Sequence, residues 1–121
     1  MGAEMTPEGK VKAQVKNLLK EDGTFYYMPV QNGMGVVGVP DIIACVPVVV
    51  TPEMVGRTIG VFAGVETKAP GKIKNTTANQ KRMLGDISKC CGIAIVADST
   101  DIVKEALSTI RETGVAFYSV P

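Results

Sequence analysis

The chain has 121 residues, of which 45% are apolar and 21% charged, with a net charge of +1 and no histidine. That length and composition suit one compact domain, expected to span residues 1–121, with a core that needs neither disulfides nor a structural metal. The missing histidine excludes Ser-His-Asp and Cys-His nucleophiles, HExxH zinc proteases and histidine-based nucleases, which leaves acid–base or metal chemistry to carboxylates, lysine, tyrosine or a metal-held water.

Thr6-Pro7-Glu8 reads as a helix start: a capping hydroxyl, a proline at the first helical position and an acid favoured by the dipole. Val11, Val15, Leu18 and Leu19 then repeat at helical spacing until Asp22-Gly23 ends the run. Thr24 to Val30, rich in aromatic and β-branched residues, predicts a strand. One of Tyr26 and Tyr27 is expected in the core and the other exposed. Gln31 to Gly38 is a glycine-rich loop. Asp41 to Val50 predicts a second strand, its apolar stretch Ile42–Val50 buried, and Gly60 to Lys68 a third. Thr51-Pro52-Glu53 and Gly56 mark the turn that joins them as an antiparallel pair.

Ala69 to Ala78 is a loop containing Pro70 and Gly71. From Asn79 a helix places Gln80, Met83, Leu84, Ile87 and Cys91 on one face. Gly92 to Ala97 is a short apolar strand. A last helix is capped by Ser99 or Thr100 and closed by Gly114, and Val115 to Val120 predicts a final strand. The order α-β-β-β-α-β-α-β describes an α/β domain with a mixed central sheet flanked by helices. No segment approaches the roughly 20 apolar residues of a membrane helix, and no signal-peptide pattern is present. Cys45, Cys90 and Cys91 show no disulfide or zinc spacing, so they are expected as small buried hydrophobes in a reducing, cytoplasmic setting.

Chemistry concentrates at three residues. The antiparallel pairing expected for the second and third strands brings Asp41 and Glu66 to the same end of the sheet. Strand alternation turns Glu66 and Lys68 to one face and Thr67 to the other. Two neighbouring carboxylates repel unless a cation lies between them, and a hard divalent ion such as Mg²⁺ takes oxygen ligands. Asp41, Glu66 and the main-chain carbonyl of Thr67 could supply these. The metal would acidify a bound water, and Lys68 could orient or deprotonate that water and stabilise charge on phosphorus. Read singly, Asp41 caps a turn after Pro40, and Glu66 and Lys68 form a same-face ion pair.

Pro40-Asp41 followed after 24 residues by Glu66-Thr67-Lys68 resembles the PD-(D/E)xK nuclease signature. The longer pattern, Gly38-Val39-Pro40-Asp41, then Val65-Glu66-Thr67-Lys68-Ala69-Pro70-Gly71, then Gln80, is similar to the virus-type replication-repair nuclease (VRR-NUC) family from about Thr6 to Ala97. That resemblance implies a restriction-endonuclease-like αβββαβ core, here with a C-terminal helix and strand added. It also implies Asp41, Glu66 and Thr67 as ligands of Mg²⁺ or Mn²⁺, Lys68 as the catalytic lysine, Gln80 as a supporting helix residue and Glu8 as an added acid. Glu8 otherwise reads as a helix-start carboxylate, although it precedes Val11 and Val15 on the face expected to turn inward. Gln80 otherwise reads as a polar residue at a helix start.

From Lys68 through Arg82 there are five basic residues and no acid, and the first helix adds Lys10, Lys12, Lys16 and Lys20. Lys72, Lys74, Lys81 and Arg82 read as phosphate contacts or as ordinary solvated charges. The chain resembles the stand-alone, phage-type members of the family, which look like Holliday-junction resolvases. The expectation is a structure-specific DNA endonuclease, active in a host cytoplasm if phage-encoded. It would cut branched DNA and serve DNA repair as a homodimer, since symmetric cuts need two sites. The alternatives are a nuclease-fold module that binds nucleic acid without cleaving it, and a small nucleotide-binding protein relying on its glycine-rich loop. Gly33-Met34-Gly35-Val36-Val37-Gly38 fits GxGxxG by letter but leads into a strand rather than a helix. Gly64 to Lys72 lacks the glycine spacing of a phosphate-binding loop.

Overall fold

A computed structural model describes residues 5–30 and 38–113. The chain divides into two units, Met1–Val46 and Pro47–Pro121. It is a mixed α/β protein with three helices and small sheets of parallel and antiparallel strands among the described residues. The expected strand Val115–Val120, Gly114 and residues 31–37 of the glycine-rich loop lie outside the described residues. No described helix is long and apolar enough to cross a membrane.

In the first unit, helix α1 spans Pro7–Asp22. The Thr6 hydroxyl accepts the Gly9 N–H at 3.0 Å and satisfies a donor that the helix start leaves orphaned. At the other end Gly23 takes φ 78°, a left-handed conformation that glycine adopts without a Cβ penalty, and the Thr24 N–H reaches back to the Leu19 carbonyl at 3.1 Å. Strand β1, Phe25–Tyr27, pairs antiparallel with β2, Ile43–Cys45, with Phe25 opposite Cys45 and Tyr27 opposite Ile43. Tyr26 is half-buried and Tyr27 exposed.

Two expectations for this unit need correction. The stripe of α1 is not a core face: Val11, Val15 and Leu18 are exposed and α1 holds no buried residue. Its half-buried positions are Gly9, Lys12, Ala13 and Leu19, a helically spaced set led by small residues, and α1 packs on β1. Glu8 is therefore exposed rather than core-facing. The apolar run Ile42–Val50 is not one buried strand either. β2 stops at Cys45, and Val46, Val48, Val49 and Val50 are exposed, Val49 at 85%. Pro47 sits inside the run and has no N–H to give a ladder.

The second unit is built on a β-α-β crossover. Strand β3, Ala63–Thr67, pairs parallel with β4, Ile93–Ala97, in a register that sets Glu66 beside Val96. The connection between them carries helix α2, Ala78–Lys89, which suits a parallel pair because strands in that relation need a long crossover. Among the described residues β2 pairs with β1 and β3 with β4, so the expected antiparallel β2–β3 ladder and single central sheet are replaced by two two-stranded sheets. Between β2 and β3, Pro52–Met54 forms a 3₁₀ turn and Gly56 takes φ 83°. Glu53's own N–H and then the Thr51 hydroxyl bond its carboxyl and hold it below the usual carboxylate range.

Every residue of β4 is buried, which explains its unbroken apolar sequence. Leu84 of α2 clusters with Ala94 and Val96, joined by the partly buried Ile73. Ile93, Ile95 and Ala97 cluster with Ala106 of helix α3, Thr100–Thr113, and with Ile102, Val103 and Ile110 around it. Alternate residues of one strand thus belong to two separate clusters. Ser99 caps α3, its hydroxyl accepting the Ile102 N–H at 3.5 Å.

Gly64 of β3 packs closely under Ile87 of α2. A Cβ there would lie 2.7 Å from Cδ1 of Ile87. Gly64→Ala should cost about 1–2 kcal/mol through overpacking, and Ile87→Val should recover part of that loss in a double-mutant cycle of urea midpoints. Strict additivity of the two changes would contradict the contact.

The end of α2 holds a further correction. Cys45 and Cys90 are buried as expected, but Cys91 is exposed at φ 65°, with the Gly92 N–H bonded to the Ile87 carbonyl at 2.9 Å. Cys91 therefore occupies the left-handed cap position that glycine favours. Cys91→Gly should stabilise the protein by about 0.5–1 kcal/mol, the relief of the left-handed strain less the added freedom of the unfolded chain. A urea midpoint that stays level or falls would count against this cap geometry.

Candidate active site

The end of β3 supplies two charged side chains to one face. Burial alternates along the strand, so Gly64 and Glu66 are half-buried on the α2 side while Ala63, Val65 and Thr67 are exposed. The Lys68 N–H continues the ladder to the Ala97 carbonyl at 2.9 Å, which fixes the backbone of the lysine just beyond the strand. The Lys68 side chain is 15% exposed and that of Glu66 30%, and their charged atoms lie 3.8 Å apart.

Gln80 joins them. Its amide oxygen accepts from Lys68 Nζ at 2.7 Å, and its amide nitrogen donates to Glu66 Oε2 at 3.1 Å. The same oxygen also accepts the Thr77 N–H at 2.9 Å, while the Thr77 hydroxyl accepts the Gln80 N–H at 3.1 Å. This is a capping box, so the turn that starts α2 also fixes the oxygen end of the Gln80 amide, while Glu66 holds its nitrogen end. Thr77 is a site residue that the sequence reading passed over, although Thr77-Ala78-Asn79-Gln80 carries the S/T-x-x-Q signal directly.

Asp98 was missed as well. At the end of β4 its carboxylate accepts the Gly71 N–H at 2.8 Å and ties down the turn after Lys68, where Gly71 takes φ 77°. Nothing in the sequence pairs position 98 with position 71, a contact made only when β3 and β4 lie side by side. Lys72 and Lys74 follow in this loop, Lys81 and Arg82 lie on α2, and all four are exposed.

Asp41 and Glu8 belong to the first unit. Asp41 is exposed and lies two residues before β2 rather than opening it, and Lys12 Nζ approaches its Oδ2 at 3.7 Å. The helix residue against Asp41 is thus a lysine, with Glu8 one turn earlier on the same helix. Glu66, Lys68 and Gln80 are the expected site residues that the structure brings into direct contact. No group of three or more His, Cys, Asp or Glu residues among the described residues is placed to hold a metal.

The chemistry of the donors still suits a hard cation. Gln80 and Lys68 both engage Oε2 of Glu66, and carboxylate oxygen is the donor that Mg²⁺ prefers. The cluster sits at the carboxyl ends of the parallel strands and at the start of the crossover helix, where α/β proteins usually hold ligands. A carboxylate, an ammonium and a fixed amide held together there can bind an anionic group and stabilise charge developing on it. No family model matches the chain, and no curated protein or solved structure matches it.

Proposed function

We propose that the protein is a metal-dependent DNA endonuclease of the PD-(D/E)xK type, similar to the VRR-NUC family, acting on branched DNA as a homodimer. The observation that carries this reading is the bonded set Lys68–Gln80–Glu66 at the carboxyl end of a parallel strand pair. A lysine and a glutamate two residues apart form a common surface pair. A helix-capping glutamine that bonds both, in a half-buried setting, is a costlier arrangement than a solvated ion pair needs.

In this reading Glu66 and Asp41 would be the carboxylate ligands of Mg²⁺ or Mn²⁺, and the Thr67 carbonyl and Glu8 would be further oxygen donors. A bound ion of this kind lowers the pKa of a water and offsets negative charge at the phosphorus. Lys68 donates to the phosphoryl oxygens as their charge grows. Gln80, bonded to both, holds the Lys68 ammonium and the Glu66 carboxylate in register with each other. The oxygen of the attacking water bonds to phosphorus and the bond to the 3′ oxygen breaks. That oxygen leaves with a proton, giving 5′-phosphate and 3′-hydroxyl ends. Lys72, Lys74, Lys81 and Arg82 extend positive charge beside this centre for the flanking phosphates.

Metal titration tests the ligand assignment. Mn²⁺ binding, followed by water proton relaxation, should weaken by at least about tenfold in Glu66→Gln and in Asp41→Asn, since each loses a charged oxygen ligand. A chelator should abolish DNA cleavage by the wild type. DNA binding that survives in chelator, without cleavage under any metal, would instead identify a binding module.

A further inference from the structure

An open cleft of about 300 Å³ lies between β3 and α2, beside the cluster just described. Its polar lining is Glu66, Asn79 and Gln80, and Gly64, Met83 and Ile87 are among its apolar lining residues. Two of these, Glu66 and Gln80, belong to the site itself, so a group held at the site continues into the cleft. Gly64 leaves the space that any side chain there would share with Ile87. Met83 is 40% exposed although it lies on the apolar stripe of α2, so a thioether faces an accessible space.

The lining divides in the way a nucleobase does. A base has an apolar π face and a polar edge, and it is the group attached to the sugar next to a phosphodiester. Methionine sulfur packs favourably against aromatic rings, and an asparagine amide offers both a donor and an acceptor to a base edge. A stacked, paired base cannot enter such a cleft, but an unpaired or extruded one can. Exposed Lys81 and Arg82 lie on the same helix as Asn79 and Met83 and complement the phosphates of a strand lying there.

We infer that the cleft between β3 and α2 receives one unstacked nucleobase of the DNA strand held at Glu66 and Lys68. The inference rests on the nuclease reading and adds its substrate preference. A pocket for a splayed base selects DNA with unpaired or easily opened nucleotides at the point of cleavage.

The test uses the fluorescent base 2-aminopurine, placed in turn at each position around the branch of a four-way junction, with chelator present so that nothing is cut. Anisotropy of a distant dye reports the bound fraction, and all spectra are compared at saturating protein. Wild type should raise 2-aminopurine emission severalfold at one position, as the base leaves its stacked neighbours. Met83→Arg should abolish that rise in fully bound DNA. Asn79→Ala, a change at an exposed residue, should diminish it and serves if Met83→Arg does not fold. Bound DNA with no rise at any position, or a rise unchanged by these variants, overturns the cleft assignment alone. Failure of the wild type to bind any DNA overturns the nuclease reading and the inference together.

Discussion

Lys68→Ala should lower metal-dependent DNA cleavage by about 10²–10⁴-fold, the range seen when a group that stabilises transition-state charge or moves a proton is removed. The loss should appear in kcat rather than KM, since Lys68 is one cation among several near the strand but the one bonded to Gln80. Lys68→Arg is not a conservative control. A planar guanidinium does not occupy the point position from which Nζ donates to the Gln80 amide oxygen at 2.7 Å and approaches Glu66 at 3.8 Å. Single-turnover cleavage of a labelled DNA separates binding from chemistry. A Lys68→Ala protein that cuts within about threefold of wild type would remove the lysine from the mechanism, well below the range expected for such a group.

Ile95→Ala should be the most damaging core change, costing about 2–5 kcal/mol. Ile95 is 1% exposed and clusters with Ile93, Ala97 and Ala106, while its strand neighbours Ala94 and Val96 cluster with Leu84. A domain of this size has roughly 5–15 kcal/mol to lose, so the variant should unfold at a much lower urea concentration with its slope unchanged. Val65, 46% exposed on β3, provides the contrast, because Val65→Ala should cost under about 1 kcal/mol. Equal losses at the two positions would contradict the burial of β4.

Local signals in the sequence were legible where one physical rule acted over a few residues. Thr6-Pro7 and Gly23 set both ends of α1 within a residue, because capping needs only a hydroxyl at one end and a left-handed residue at the other. The apolar run at Ile93–Ala97 gave β4, and alternation put Glu66 and Lys68 on one face. Legibility ended where neighbours decide. Periodicity marked Val11, Val15 and Leu18 as a core stripe, yet small Gly9 and Ala13 lie on the half-buried side. Hydropathy marked Val46–Val50 as buried strand, yet Pro47 interrupts the ladder chemistry there. The apolar stripe points to a helix start at Asn79 rather than at the Thr77 cap, and so passes over the capping box that organises Gln80. Strand pairing was the least accessible feature, since β3 finds β4 through a crossover that no local pattern announces.

The most direct test of the central claim is cleavage of an end-labelled four-way junction, run beside linear duplex and single strand, by wild type and Lys68→Ala in Mg²⁺ and in chelator. The proposed function predicts paired, symmetric cuts in the junction by wild type in Mg²⁺ alone, and none by Lys68→Ala. No metal-dependent cleavage of any of these DNAs, by protein shown to be folded, would contradict it.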